Sequence, residues 1–326
     1  MTYKILFAIP QQARFLSPIS RALDELNYHV VHFDYLKPDF ISSGLGMSKN
    51  ILSSIRQMSN LYINWINDQL LLKIKQTHPH YFLTIKGETI LPSTIKAINS
   101  LGIPTINWFP DNIGLWNFLI TTAPYYQYYF SVCKHLTQVL NKIGRKTIYL
   151  PVAGEADTNF KVNYKNFDVV FVGHKTQRRI KYFSALKDYN FSLWGYSNWK
   201  NSPLMHFYNG ELDQQQMKQV FRKSKIVINV STGEEGIPVV IANLRNFEST
   251  GVGAFVLSEY NVALSQLFTE NIEMVYFKSI VEMISKVDYF LKHEDLRNRI
   301  AYSGWLKTKN HHTYHDRIKK MFHYIG

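Results

Sequence analysis

The sequence predicts an α/β protein with two doubly wound parallel sheets, one after the other along the chain. Three observations lead there. Short apolar runs alternate with segments of helical periodicity from the N-terminus onward. The alternation pauses at a polar connection over residues 153–166 and then begins again. The length, 326 residues, suits two cores of roughly 150 residues better than one.

Residues Tyr3 to Pro10 read as a first strand, Phe15, Leu16, Ile19, Leu23 and Leu26 recur at helical spacing, and Tyr28 to Asp34 returns to strand. A helical stripe of Ile51, Ile55, Met58, Tyr62 and Trp65 follows within residues 48–76, then a strand from His80 to Lys86. Pro92 to Ser100 is a helix closed by Gly102. Ile103 to Phe109, Tyr128 to Cys133 and Thr147 to Pro151 are further strands. Beyond the polar connection come strand Asp168 to Val172, helix Gln177 to Leu186, strand Phe191 to Trp194, helix Gln214 to Arg222 and strand Ile226 to Val230. A helix around Arg245, strand Ala254 to Leu257, helix Ala263 to Phe268, strand Glu273 to Phe277 and terminal helices complete the pattern. The domain boundary therefore falls at residues 152/153.

Composition excludes several classes. Hydrophobic residues make up 46% and charged residues 19%, so the chain has material for packed cores throughout. The 21 Tyr, 21 Phe and 6 Trp serve cores first and sugar-stacking surfaces second. The single cysteine, Cys133, forms no internal disulfide and reads as a structural thiol in a buried strand. The N-terminal apolar run stops at Pro10, as a strand does and a signal peptide does not, and no apolar stretch is long enough to span a bilayer. A cytoplasmic protein is expected, with peripheral contact at the inner face of a membrane left open. Net charge is +13, with 14 Lys or Arg against 7 Asp or Glu in residues 1–150 and 23 against 17 in the remainder. Such a field favours nucleotide diphosphates, an anionic membrane or nucleic acid.

Two constellations carry chemistry. In Val172-Gly173-His174-Lys175-Thr176-Gln177-Arg178-Arg179 a glycine lets backbone approach a ligand, a helix N-terminus follows, and Lys175, Arg178 and Arg179 supply cations: a diphosphate site, or else a solvated basic helix face. In Asn243-Leu-Arg245-Asn-Phe247-Glu248-Ser-Thr-Gly251-Val-Gly253, Arg245 and Glu248 share one helical face at a place where an α/β sheet opens to ligand, or form a surface pair. Asp111, at the end of a first-half strand, is a candidate general base or a loop carboxylate. His311 and His315 are spaced as on one helical face, but no Cys, Asp or Glu cluster joins them, and a structural helix is the expectation. The basic tail, five Lys or Arg against one acid from Gly304 onward, reads as a solvated face. It lacks an aromatic RNA-binding signature, so nucleic acid is the weaker partner.

The R-x-F-E…G-x-G segment from Arg245 to Gly253 resembles that of the CgeB/YkvP-like, spore-protein type glycosyltransferases. The Phe171-Val-Gly173 strand end with arginine on the next helix, Gly102-Ile-Pro-Thr-Ile-Asn-Trp-Phe-Pro-Asp111, Lys225-Ile-Val-Ile-Asn229 and His312-Thr-Tyr314-His-Asp-Arg317 resemble further family segments in the same order. The resemblance implies the GT-B architecture: two Rossmann-like doubly wound domains facing across a cleft, with a group 1-like C-terminal domain and a C-terminal helix crossing back to the first domain. Residues 1–152 would hold the acceptor and 153–326 the nucleotide sugar. Glu248 then falls where such transferases bind the donor ribose, and a carboxylate accepts well from two vicinal hydroxyls. Gly173, Lys175, Arg178, Arg179, Arg245, Gly251 and Gly253 would complete the donor site, with Asp111 catalytic. One departure stands out: retaining enzymes of the glycogen-synthase type carry a glutamate eight residues upstream of this one, and here that position is Val240, with Glu234 and Glu235 out of register.

The expectation is a glycosyltransferase moving sugar from a nucleotide-diphosphate sugar to a polysaccharide, glycolipid or protein hydroxyl. No D-x-D motif occurs, so no cofactor or metal is expected. The alternatives are a sugar-nucleotide epimerase on the same fold, a non-catalytic nucleotide-sugar-binding module, and a DNA-modifying glycosyltransferase.

Overall fold

The structure, a computed structural model, describes residues 2–35, 60–111, 116–162, 165–232 and 241–326. The chain divides into two compact units, Met1–Pro151 with Arg317–Gly326, and Val152–Asp316. The expected helix positions Ile51, Ile55 and Met58, and Val240, Glu234 and Glu235, lie outside the described residues.

The first unit alternates β1 (Lys4–Ala8), α1 (Leu16–Glu25), β2 (His29–Phe33), α2 (Asn60–Thr77), β3 (Tyr81–Ile85), α3 (Pro92–Ser100), β4 (Thr105–Phe109), α4 (Trp116–Thr122), β5 (Tyr128–Ser131), α5 (Lys134–Lys142) and β6 (Ile148–Tyr149). The strands form a six-stranded sheet in the order β2-β1-β3-β4-β5-β6, all neighbours parallel. Leu6 pairs in register with Val31 on one side and Phe82 on the other, and such central strands are apolar throughout because helices cover both faces. Chain order reverses between β1 and β3, which opens a crevice at the C-terminal ends of those strands.

The second unit runs β7 (Phe167–Val172), α6 (Gln177–Phe183), β8 (Phe191–Trp194), α7 (Gln214–Arg222), β9 (Ser224–Asn229), α8 (Leu244–Gly251), β10 (Val256–Glu259), α9 (Val262–Ser265), β11 (Val275–Phe277), α10 (Ile280–Lys292) and α11 (Glu294–His311). Its sheet is five-stranded and parallel, ordered β11-β10-β9-β7-β8, so the reversal lies between β7 and β9. Phe171, Phe183, Leu193, Trp199, Ile228 and Leu257 are wholly buried on one face of it. The last helix, α12 (Tyr314–Ile325), starts in this unit and from Arg317 onward counts with the first, where Phe322 stacks on Tyr28 at 4.4 Å and Arg317 Nε donates to Pro151 O at 2.8 Å.

Two expectations are corrected here. Cys133 is not in a strand: β5 ends at Ser131, and the buried Cys133 caps α5, its Sγ accepting from Leu136 N at 3.3 Å. Burial pushes this thiol up, against the pull of the neighbouring amides, as suits a structural group. The strand expected at Ala254 begins at Val256, because Gly253, at φ +75°, and Ala254 still close the turn of α8 through bonds to Thr250 O and Ser249 O. It then runs on through two polar residues, Ser258 and Glu259, both buried.

Gly251 lies against backbone: a β-carbon there would overlap Glu155 O, while Asp157 N donates to Gly251 O at 2.8 Å. Overpacking of this kind costs about 1–3 kcal/mol. Gly251→Ala is therefore expected to lower the melting temperature of the protein by several degrees while leaving ligand affinity at temperatures well below the transition within about twofold of the parent. Paired thermal melts and titrations check this.

Candidate functional site

The end of β7 and the end of β9 flank the reversal in the second sheet, and the side chains gathered there are cationic. Gly173 follows β7 directly, and a β-carbon on it would overlap the Arg245 guanidinium and press on Phe171 at 2.9 Å. Glycine is thus what lets Arg245 lie across the strand end. Gly195, at φ +149°, lies equally close to Gly173 O, and Trp199 Nε1 donates to that carbonyl at 2.8 Å, so the loop is fixed from two sides.

Arg179, the third residue of α6, is wholly buried. Its Nε donates to Val230 O at 3.0 Å and its Nη1 to His174 O at 2.7 Å, tying the two strand ends together. Its Nη2 is buried without a hydrogen-bond partner. Arg245 donates from Nη1 to Asn229 Oδ1 at 2.7 Å. Both guanidiniums lie against the Phe171 ring, Arg179 at 4.8 Å and Arg245 at 4.6 Å from its centre. Burial first, and then the like charge of Arg245, push the Arg179 guanidinium below its usual range, with Glu259 opposing. Burial and the same two arginines push His174 down. A guanidinium does not give up its proton in a protein, so the shift expresses first the cost of burying the charge and then the repulsion of the second cation, and an anion beside them would offset both.

The other predicted cations are placed differently. Arg178 forms an ion pair with Glu259 and lies over the Tyr182 ring at 5.3 Å. Glu259 also accepts from Ser231 N at 3.1 Å and Ser231 Oγ at 2.6 Å. Burial works against the Glu259 charge, but Arg178 and Ser231 outweigh it and hold the carboxyl below its usual range. Lys175 donates to Asn201 O at 3.1 Å at the surface.

Asn243 caps α8, its Oδ1 accepting from Arg245 N at 3.0 Å, which sets Arg245 in the first turn. Glu248 is one turn further along the same helix and buried. Gly251 and Gly253 close that helix, the first against Glu155 and the second with a β-carbon position 2.9 Å from the Phe160 ring. Packing is what requires glycine at 251, and at 253 the left-handed φ of +75° requires it as well.

In the first unit Asp111 lies just past β4 and pairs with Lys86 at 2.9 Å, and Lys86 also pairs with Glu88 at 3.0 Å. Burial works against the Lys86 charge, and the two carboxylates outweigh it, so its pKa is raised. Lys86, at φ +67°, and Gly87, at φ +74°, form a left-handed turn held by Asn107 Nδ2, which donates to Lys86 O at 3.0 Å. A cavity of about 630 Å³ lies at the ends of β1 and β2, with Gln11, His32, Asp34, Trp65, Gln69 and Lys73 among its lining. Among the described residues no group of three or more His, Cys, Asp or Glu is placed to hold a metal.

The structure thus brings Gly173, Arg179 and Arg245 together, directs Arg178 to a carboxylate and Lys175 to a surface carbonyl, and places Asp111 in a different unit. Sequence reasoning missed Lys86, Phe171, Asn229, Ser231 and Glu259. Asn229 and Glu259 carried a signal, since each is a polar residue at the C-terminal end of an apolar strand.

Residues 176–323 match the profile of a family described as glycosyl transferase-like. No curated protein matches the chain in sequence. Among solved structures it resembles a glycosyltransferase from Rickettsia africae, at 12% identity over 99% of this chain and 97% of that one, with a TM-score of 0.68. HepE from Anabaena in complex with UDP-glucose matches at 11% identity, 99% of each chain and 0.62. A Listeria monocytogenes protein described as a UDP-N-acetylglucosamine 2-epimerase matches at 12%, over 100% of this chain and 96% of that one, and 0.60. The fold is that of the GT-B group, two parallel α/β sheets flanked by helices.

The Arg178–Glu259 pair has a measurable acid signature. A carboxyl held below its unfolded value contributes stability above that value and loses it as pH falls through the folded one. Glu259→Gln leaves the partly buried Arg178 guanidinium without its carboxylate and is expected to cost about 2 kcal/mol at neutral pH. The deficit against the parent should shrink below about pH 4.5, where the carboxyl of the unfolded parent takes up a proton before that of the folded one. Denaturant titrations of both proteins at pH 7 and pH 3.5 read the difference.

Proposed function

We propose that the protein is a glycosyltransferase that binds a nucleoside-diphosphate sugar in its second unit and moves the sugar to an acceptor hydroxyl. The carrying observation is the pair of guanidiniums, Arg179 and Arg245, held against Phe171 at the sheet's reversal point, one with a buried N–H lacking a partner. Two cations there match a diphosphate's two charged groups, and the same charge stabilises the diphosphate as it leaves. The glycosyl transferase-like match over residues 176–323 supports this reading, as does the Anabaena complex with UDP-glucose on the same fold. The CgeB/YkvP-like resemblance gives the finer assignment within the group.

Glu248 would accept from the ribose hydroxyls. Asp111 would take the acceptor's proton as its oxygen bonds to the sugar and the bond to diphosphate breaks, with Lys86 orienting the carboxylate through their ion pair. Acceptors of the polyol type suit the amide and indole lining of the first-unit cavity. With arginine charge at the diphosphate, transfer needs no divalent ion. The Listeria likeness favours one second reading, an epimerase, in which the nucleotide sugar is itself converted and no acceptor is needed.

Calorimetric titration of nucleoside diphosphates against monophosphates tests the site. Diphosphates should bind more tightly. Arg245→Gln should weaken them by about 1.5–3 kcal/mol, roughly 10- to 150-fold, with little change in the monophosphate. Glu248→Gln should weaken both. Equal affinity for mono- and diphosphates, or an Arg245→Gln variant that binds like the parent, would remove the diphosphate assignment. Product analysis with each nucleotide sugar then separates transfer from epimerisation, and activity is expected to survive exhaustive chelation.

A further inference from the structure

We propose that the N-terminal edge of the first sheet, at its β4–β6 end, docks on an anionic lipid surface. The first observation is how charge divides between the compact units. Met1–Pro151 with Arg317–Gly326 holds 17 Lys or Arg (14 and 3) against 7 acids, whereas Val152–Asp316 holds 20 against 17. Of the net +13, therefore, +10 lies in the first unit and +3 in the second. Adding the last ten residues to the first unit is what shows it, because the split at residue 150 divided the excess almost evenly.

Within that unit the cations collect at one end. From Thr89 to Gly154 the only acid is Asp111, which sits past the C-terminal end of β4, and none follows Asp316. Residues 141–146, the end of α5 and the turn that follows it, are all exposed and include Lys142, Arg145 and Lys146. They lead into Ile148, the first residue of β6, which pairs with Phe130 of β5. The end of α12 is beside the start of β5: Tyr128 Oη donates to Ile325 O at 3.2 Å, and the Phe130 and Tyr324 rings are 6.3 Å apart. Lys319, Lys320 and His323 on this helix are exposed. Among the described residues the acids at this edge, Asp24 and Glu25, are at the end of α1 before β2, at the far side of the sheet.

Apolar side chains decide the partner. Six large hydrophobic residues are exposed among the described residues of the first unit, and three of them stand at this end: Leu101 before β4, Ile143 before β6 and Tyr324 beside β5, at 52%, 52% and 49%, while Tyr3 is before β1, outside it. The other two, Leu61 and Leu72, are on α2. In the sheet order β4-β5-β6 the three sites span about 10 Å at the usual strand spacing. Cations interleaved with exposed aromatic and aliphatic groups fit a lipid interface, where charge meets head groups and apolar tips enter the boundary below them. A nucleic-acid backbone offers the charge but no place for Ile143 and Leu101. No described helix is long and apolar enough to cross a membrane, so the contact is peripheral.

The test is co-sedimentation of the full chain with vesicles of phosphatidylcholine alone and of phosphatidylcholine with an equal part of phosphatidylglycerol. Binding is expected with the second and not the first, and it should weaken as salt rises. Each cation near an anionic surface contributes about fivefold, so Lys142→Gln, Arg145→Gln and Lys146→Gln together should lower partition on the order of a hundredfold. Ile143→Ser alone should lower it severalfold while leaving the salt dependence in place. Circular dichroism of each variant confirms folding; if the triple variant is unfolded, the Ile143→Ser comparison decides. Sedimentation of the folded triple variant equal to the parent's would overturn the proposal. So would binding to duplex DNA without binding to the charged vesicles.

Discussion

The Arg179 side chain leaves α6 and ends entirely out of solvent, with one nitrogen on Val230 O, a second on His174 O and its plane against Phe171. A buried charge costs several kcal/mol unless its surroundings repay it. Here two carbonyls and an aromatic face repay part, and the carbonyls belong to the loops that follow β7 and β9. The same cation therefore sets the distance between the two strand ends and the electrostatic character of the space between them. Gly173, Gly195 and Trp199 complete the frame by leaving no room for the loop to move toward β8.

The two sheets treat their reversal points differently. In the second unit the described charges at the ends of β7 and β9 are cationic, and the carboxylate at the end of β10, Glu259, is engaged by Arg178 and Ser231. In the first unit a lysine sits between two half-exposed carboxylates on a left-handed turn. Residues held in such turns cost energy that a stable scaffold must supply, and they concentrate where orientation matters. One reversal is thus arranged to receive negative charge, and the other to present a carboxylate whose counter-ion is already in place.

Much of the architecture was readable because apolar runs and helical stripes report burial directly. Phe191–Trp194, Gln214–Arg222 and Pro92–Ser100 are elements whose limits the periodicity and the end signals mark without help from the fold. The errors fall where polar residues continue an element or a backbone turn delays it. Ser258 and Glu259 extend β10 past the end of its apolar run, and Gly253 postpones its start. The candidate site was legible in its residue types and partly in its membership. Arg178 and Arg179 are adjacent in sequence, but a helix points consecutive residues about 100° apart, so one reaches Glu259 and the other goes under Phe171. No spacing rule distinguishes them without knowing which face of α6 meets the sheet. Lys86 was invisible for a similar reason, since its meeting with Asp111 depends on β3 and β4 being neighbours.

The last helix gives the chain a particular order of assembly. Ile318 and Met321 are fully buried and Phe322 stacks on Tyr28, so the first unit's core includes side chains from the final ten residues. The second unit, by contrast, is one uninterrupted stretch, Val152–Asp316. During synthesis the ribosome therefore delivers every residue of the second unit before the first has its closing piece. The first unit is thus completed after the second has been made, and until α12 has left the ribosome its face around Tyr28 and Tyr81 stays open to chaperones and to neighbouring chains.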